Sequence, residues 1–280
     1  MQNKIKHILK ILKYIVIKRG YFGITSPFRT IPNFIVIGVK RCGTTTLYEQ
    51  LSEHPCIEKS AHDNLGFFNN NFELGMNWYK SHFVTNFRKK EIERKYGKFA
   101  TYDVTSSYIQ KKKTAQNIFK TLPNVKLILI LRNPTDRAYS EYNQNIIDEN
   151  ESRDFTELIK QEINEIQNME NGNLEFSSDK INLVKKGIYE KQISPWLEIF
   201  PRKQILIIST EEFGEKTTET YDKIFRFLEL PEYKIKNKKR HRKGTYEAMD
   251  DKTRKILDDF YESYNSKLFQ KIEETFRWNR

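Results

Sequence analysis

One stretch limits the possible folds more than any other: Lys126-Leu-Ile-Leu-Ile-Leu131, followed at once by Arg132-Asn133-Pro134. An unbroken apolar run of strand length, without alternation, suits a strand covered on both faces, as in a parallel sheet. Residues 33–38 and 204–209 read the same way, and residues 99–104 read as a fourth strand. Between these runs the apolar spacing turns helical. It predicts helices over residues 44–54, 113–122, 134–147, 155–170, 181–200, 218–230 and 250–275, with Pro134 in a first turn, where proline is tolerated. Strands alternating with helices predict an α/β fold, a central mostly parallel sheet flanked by helices. No linker rich in Pro, Gly or Ser interrupts the pattern. Residues 31–280 therefore read as one domain, preceded by a basic segment over residues 1–30.

The 280 residues carry 49 Lys and Arg against 37 Asp and Glu, a net charge of +12. That balance predicts an anionic ligand but leaves nucleic acid, membrane surface, nucleotide and acidic glycan open. Two cysteines, Cys42 and Cys56, exclude a disulfide-scaffolded module and a multi-cysteine zinc site, and fit a reducing compartment. His7, His54, His82 and His241 show no metal-ligand spacing, so no metal is expected. In residues 4–18, Ile5, Ile8, Leu9, Leu12, Ile15 and Val16 share one helical face, with lysines opposite. The stretch is too short and too broken by lysine to span a bilayer, and it lacks the apolar core of a signal peptide. It reads either as a helix packed on the domain or as one lying on an anionic membrane surface. The location expected is cytoplasmic, with peripheral membrane contact as the alternative.

Two loops carry the chemistry. Strand 33–37 leads into Gly38-Val39-Lys40-Arg41-Cys42-Gly43-Thr44-Thr45-Thr46 and a helix. Strand, glycine-bounded loop and helix make a phosphate cradle, because free N–H groups and the dipole at the helix start favour an anion. The spacing is near that of the nucleoside-triphosphatase loop GxxxxGK[ST], but Thr44 stands where that loop has lysine. No aspartate suited to magnesium follows strand 126–131. A nucleotide kinase is thereby a minor alternative. A polyanion-binding module using the cations of residues 234–243 is another. The second loop is Arg132 to Ser140. Arg132 stands at the carboxyl end of a strand, and Ser140 stands two turns into the next helix; together they can grip a terminal phosphate. Arg137 either adds a contact or pairs with Asp136.

The first loop, followed some ninety residues on by Arg132-Asn-Pro-x-x-Arg-Ala-Tyr-Ser140, resembles the sulfotransferases that use 3′-phosphoadenosine-5′-phosphosulfate (PAPS). Within these it most resembles the branch that sulfates glycosaminoglycans such as heparan sulfate, and related glycans. Weaker likenesses are Phe67-Phe68 with Trp78-Tyr79, Gly187-Ile-Tyr189 with Trp196, Lys243-Gly244, and Phe276-x-Trp278-Asn279. The resemblance covers residues 33–279 and implies a P-loop-like sulfotransferase architecture. It also implies that Lys40, Arg41, Cys42, Gly43, Thr44, Thr45 and Thr46 hold the 5′-phosphosulfate end. Arg132, Ser140, Lys243 and Gly244 would hold the 3′-phosphate, and Ser106, Tyr108 and Tyr189 would face a glycan or small-molecule acceptor. The product would be 3′-phosphoadenosine-5′-phosphate (PAP). PAPS accounts for part of the positive charge without nucleic acid.

Two departures stand out. Glycan sulfotransferases usually place lysine where this chain has Arg41, and here the lysine is Lys40. Either cation can stabilise charge developing on the leaving oxygen, but arginine cannot readily give up a proton. Related enzymes also place a glutamate where this chain has Asn64, which cannot take a proton. His62 and Asp63, just before it, are the base candidates. His62 suits neutral pH without a shift. Val104 stands where the family often has lysine. Ser106 and Tyr108 either contact the acceptor or pack at the strand end.

Overall fold

The computed structural model describes residues 22–149, 151–168, 182–237 and 246–278. The segment 4–18, the centre of the basic loop, and Lys243 and Gly244 lie outside the described residues. Strands β1 (Phe34–Gly38), β2 (Ile57–Lys59), β3 (Ala100–Val104), β4 (Lys126–Leu131) and β5 (Ile205–Ser209) form one sheet in the order β2-β3-β1-β4-β5. Every pairing in it is parallel. All residues of β1, β3 and β5 are buried, and of β4 only Lys126 is partly open. That is the two-faced burial the apolar runs predict.

The helices longer than four residues are α1 (Thr44–Leu51), α2 (Gly75–Lys80), α3 (Asn86–Tyr96), α4 (Lys112–Thr121), α5 (Pro134–Glu149), α6 (Phe155–Gln167), α7 (Tyr189–Ile199), α8 (Thr210–Glu215), α9 (Thr217–Leu228) and α10 (Asp251–Ile272). A large buried cluster surrounds the sheet. A second cluster joins α5, α6 and α10 through Ala138, Ile159, Leu257 and Tyr261.

The strand order fixes where a ligand can bind. After β1 the chain turns toward β2 and β3; after β4 it turns the other way, toward β5. The two connections diverge and leave a crevice above the carboxyl ends of β1 and β4, the usual ligand site of such sheets. The register of β1 on β4 shifts between Val36 and Gly38, at the mouth of that crevice. A Cβ on Gly38 would stand 2.9 Å from Ile109 Cγ2 and 3.3 Å from the Ser106 carbonyl oxygen. Only glycine lets the turn Tyr108–Gln110 close against the strand end.

The structure corrects the sequence reading at several elements. β2 is a three-residue strand at the sheet edge, too short to show a pattern. α3 was not expected because only Ile92 of it is buried, so no apolar stripe forms. The helix expected over residues 181–200 begins only at Tyr189. Just before it, the backbone N–H groups of Val184 and Lys185 donate to the Glu162 carboxylate at 2.9 and 2.8 Å, and Gly187 lies against Tyr261. Those contacts hold the segment in turns rather than in helix.

Candidate active site

The crevice holds a cleft of about 680 Å3, within the roughly 300–1,000 Å3 usual for small-molecule sites. Lys40, Arg41, Gly43 and Thr44 to Thr46 line one side, Arg132, Asn133 and Ser140 the next, and Asn64, Ser106 and Ser107 the facing wall. The two loops singled out in the sequence thus meet in one place.

Local geometry explains the phosphate loop. Gly43 has φ +95°, in the left-handed region, and turns the chain into α1. No side chain caps α1, so its first N–H groups stay open toward the cleft. Arg41 also has positive φ, 72°. Its guanidinium crosses to α5, donating to Ser140 Oγ at 3.2 Å and to Gln144 Oε1 at 3.0 Å. Arg132 donates to the Arg41 carbonyl at 3.3 Å. Thr210 Oγ1 lies 2.7 Å from the Cys42 carbonyl and 2.8 Å from that of Leu131, joining both loops to the end of β5.

Beneath this side lies a charge network. Glu141 is buried and bonded to Arg137 at 2.5 Å, to Lys186 at 2.8 Å and, at 3.4 Å, to Lys40. Burial pushes the Glu141 carboxyl up, but Arg137 above all, then Lys186 and Lys40, outweigh it and hold the carboxyl at about 2. Arg137 is fully buried and also donates to the Leu183 carbonyl. It neither reaches the cleft nor pairs with Asp136, whose partner is Arg254 at 2.7 Å.

The facing wall rests on a different device. Asp103, at the end of β3, is buried and accepts from Tyr79 at 3.0 Å, Tyr108 at 2.9 Å and Thr105 at 3.0 Å. No cation among the described residues joins them. Burial raises the Asp103 carboxyl to about 6 against the lowering effect of the three hydroxyls. Thr105 and Tyr108 in turn accept from the backbone N–H groups of Gly66 and Phe68, at 3.2 and 3.3 Å. At the surface of the wall, Asn64 Oδ1 accepts from Ser106 N and Oγ, both at 3.2 Å.

Several expected site residues lie elsewhere. Tyr108 is buried with its hydroxyl committed to Asp103, so it supports the wall rather than facing an acceptor. Tyr189 is buried and donates to the Arg132 carbonyl at 2.9 Å, with Cys42 Sγ 3.9 Å away; it braces both loops from below. Cys42, expected to help hold the 5′-phosphosulfate end, is buried behind the loop and does not line the cleft, and burial pushes its thiol up to about 12. His62 is exposed and Asp63 half-buried, and neither lines the cleft. Asn64 and Ser106 do. The sequence reading missed Thr210 and Glu211, which follow β5 at the same sheet end as Arg132 and could have been found by that rule. It also missed the cleft contacts of Tyr246, Arg277 and Trp278; nothing short of the fold brings the C-terminal segment here.

A family model described as the sulfotransferase domain matches residues 32–274. The membrane-associated sulfotransferase kil1 of Dictyostelium discoideum is 25% identical, over 89% of this chain and 66% of its own length. Heparan sulfate glucosamine 3-O-sulfotransferase 3B1 of Mus musculus is 27% identical, over 90% of this chain and 66% of its own. For heparan sulfate glucosamine 3-O-sulfotransferase 5 of the same organism the identity is 27%, over 72% and 54%. The chain therefore spans less than two thirds of the length of these curated relatives. Among solved structures, a sulfotransferase from Alicyclobacillus acidocaldarius superposes with a TM-score of 0.69 over 90% of this chain and 100% of that one, at 24% identity, which is agreement of fold. With the family model covering nearly the whole described chain, the protein belongs to the sulfotransferase family.

Proposed function

We propose that this chain transfers a sulfuryl group from PAPS to a hydroxyl or amine of a carbohydrate acceptor, by in-line displacement. The observation that carries this reading is the convergence of Lys40, Arg41, Arg132 and the open start of α1 on one cleft, at the divergence of β1 and β4. That donor set is cationic and rich in N–H and hydroxyl groups, and it fits a ligand with two separated phosphate ends. Bound PAPS would supply an activated sulfuryl group with a good leaving oxygen.

The residues of the chain then divide the work. The N–H groups at Gly43 and Thr44, with the hydroxyls of Thr45 and Thr46, hold the 5′ end. Lys40 and Arg41 stabilise negative charge as it grows on the leaving oxygen. Arg132 and Ser140 hold the 3′-phosphate. Ser140 can serve both neighbours, since a hydroxyl accepts from Arg41 through its lone pairs and still donates its one proton. Asn64 and Ser106 line the acceptor side, where they present donors and acceptors suited to sugar hydroxyls. The names of the relatives favour a glycan: heparan sulfate glucosamine for one and carbohydrate for another, carbohydrate sulfotransferase 15 of Homo sapiens, 24% identical over 89% of this chain and 55% of that protein.

Calorimetric titration with PAP, using ATP with magnesium as comparator, tests the reading. Micromolar or tighter PAP binding, about tenfold to a hundredfold weaker in Arg132→Ala and absent for ATP, is expected. Folded protein that binds ATP and not PAP would overturn the donor assignment.

A further inference from the structure

Away from the cleft, the described surface carries an apolar cluster that sulfuryl transfer does not use. Ile24 is 79% exposed, Phe28 69% and Phe87 73%. Local chain geometry brings their backbones near one another. The helical turn Phe22–Thr25 runs into the tighter turn Ser26–Phe28, so Ile24 and Phe28 stand four residues apart. Arg29 then forms an antiparallel bridge with Thr85, supported by Thr30 N donating to the Val84 carbonyl at 2.9 Å and Arg29 Nη1 to that of Phe83 at 2.6 Å. Phe28 and Phe87 therefore leave the chain within two residues of one bridge. Helical spacing puts Lys90 and Arg94, three and seven residues on, along the Phe87 face of α3. Both are exposed, and neither joins an ion pair among the described residues.

We propose that this face docks on the surface of an anionic lipid bilayer. Exposed aromatic rings bordered by unpaired cations match an interface of acyl chains and acidic headgroups. Residues 4–18, just upstream, carry the same combination in sequence, with Ile8, Leu9 and Leu12 opposite Lys6, Lys10 and Lys13. A second copy of the chain seated on this face would set its own Lys90 and Arg94 against these like charges. One anionic surface accepts both regions side by side. The proposal is independent of the donor assignment.

Co-sedimentation of the full chain with phosphatidylcholine vesicles, with and without phosphatidylglycerol, tests it. The comparison is among wild type, Phe28→Ser with Phe87→Ser, and Lys90→Glu with Arg94→Glu. The wild type is expected to bind the anionic vesicles, less at high salt. Each double variant is expected to bind them about tenfold less or weaker still, with unchanged melting temperature and PAP affinity. Failure of the wild type to bind overturns the proposal. Equal binding by all three overturns it too, and leaves any contact to residues 4–18. A lowered melting temperature with undiminished vesicle binding means that the chain covers its own patch. Loss of a dimer in light scattering, without vesicle binding, means that a second copy does; either result overturns the proposal.

Discussion

Two carboxylates are buried beneath the cleft, one under each wall, and their acidities move in opposite directions. Glu141, under the wall proposed to hold the donor, is held at about 2, and Asp103, under the wall proposed for the acceptor, is raised to about 6. Both are about equally removed from water. The difference lies in their partners. Glu141 faces Arg137, Lys186 and Lys40, whereas Asp103 faces three neutral hydroxyls. Burial disfavours a charge; the hydroxyl donors around Asp103 offset this only in part, whereas the cations around Glu141 reverse it. The wall proposed for the donor is thus an ionic construction in which Glu141 holds Lys40 at the cleft. The wall proposed for the acceptor rests instead on a buried carboxylate held only by neutral hydroxyl donors.

The comparison can be broken most forcibly at Glu141. Glu141→Gln leaves the fully buried Arg137 without its counter-charge and is expected to cost about 3–5 kcal/mol of stability in urea unfolding. A cost under about 1 kcal/mol would mean that the network is not ionic in the way described.

Next in size is the pH dependence. The folded-state carboxyl of Asp103 lies above its ordinary value of 3.8. Between about pH 4 and pH 6 the native chain therefore binds the proton that the unfolded chain has lost, and stability falls as pH rises, by up to about 3 kcal/mol. Asp103→Asn should remove that slope. Glu141 acts in the reverse sense: its stabilisation is present above its ordinary value of 4.5 and is lost as pH falls toward about 2. Unfolding curves of wild type and Asp103→Asn across this range, subtracted, check the sign.

A smaller effect is expected at the surface of the acceptor wall. Ser106→Ala removes the Oγ contact to Asn64 and keeps the backbone one; it should change acceptor KM several-fold, at a cost of about 1 kcal/mol or less, while PAP affinity stays unchanged. The smallest expected effect is at Cys42, which burial should keep unreactive toward thiol reagents at mildly alkaline pH in the native state. Rapid labelling of Cys42 in folded protein would contradict its placement behind the loop.

The contrast also explains what the sequence could reveal. The donor wall follows from short connections between a buried strand and a helix, and such connections leave local marks: Gly38, Gly43, the threonines and Arg132 at a strand end. The acceptor wall is assembled from residues 64–68, 79 and 103–108, joined through Asp103 by contacts between distant segments. Tyr108 resembled an acceptor contact in sequence because nothing local reveals that its hydroxyl is taken. His62 suited a base by chemistry alone, and the turn at Asn64, with φ 53°, brings Asn64 to the cleft instead. The helix α3 left no apolar stripe, because Ile92 is its one buried residue.

The most direct test of the division is PAP titration into wild type, Arg132→Ala and Ser106→Ala, side by side. The account predicts that Arg132→Ala weakens binding by about tenfold to a hundredfold while Ser106→Ala leaves it within about twofold. Equal weakening by both, or by Ser106→Ala alone, would contradict a cleft whose two walls serve different substrates.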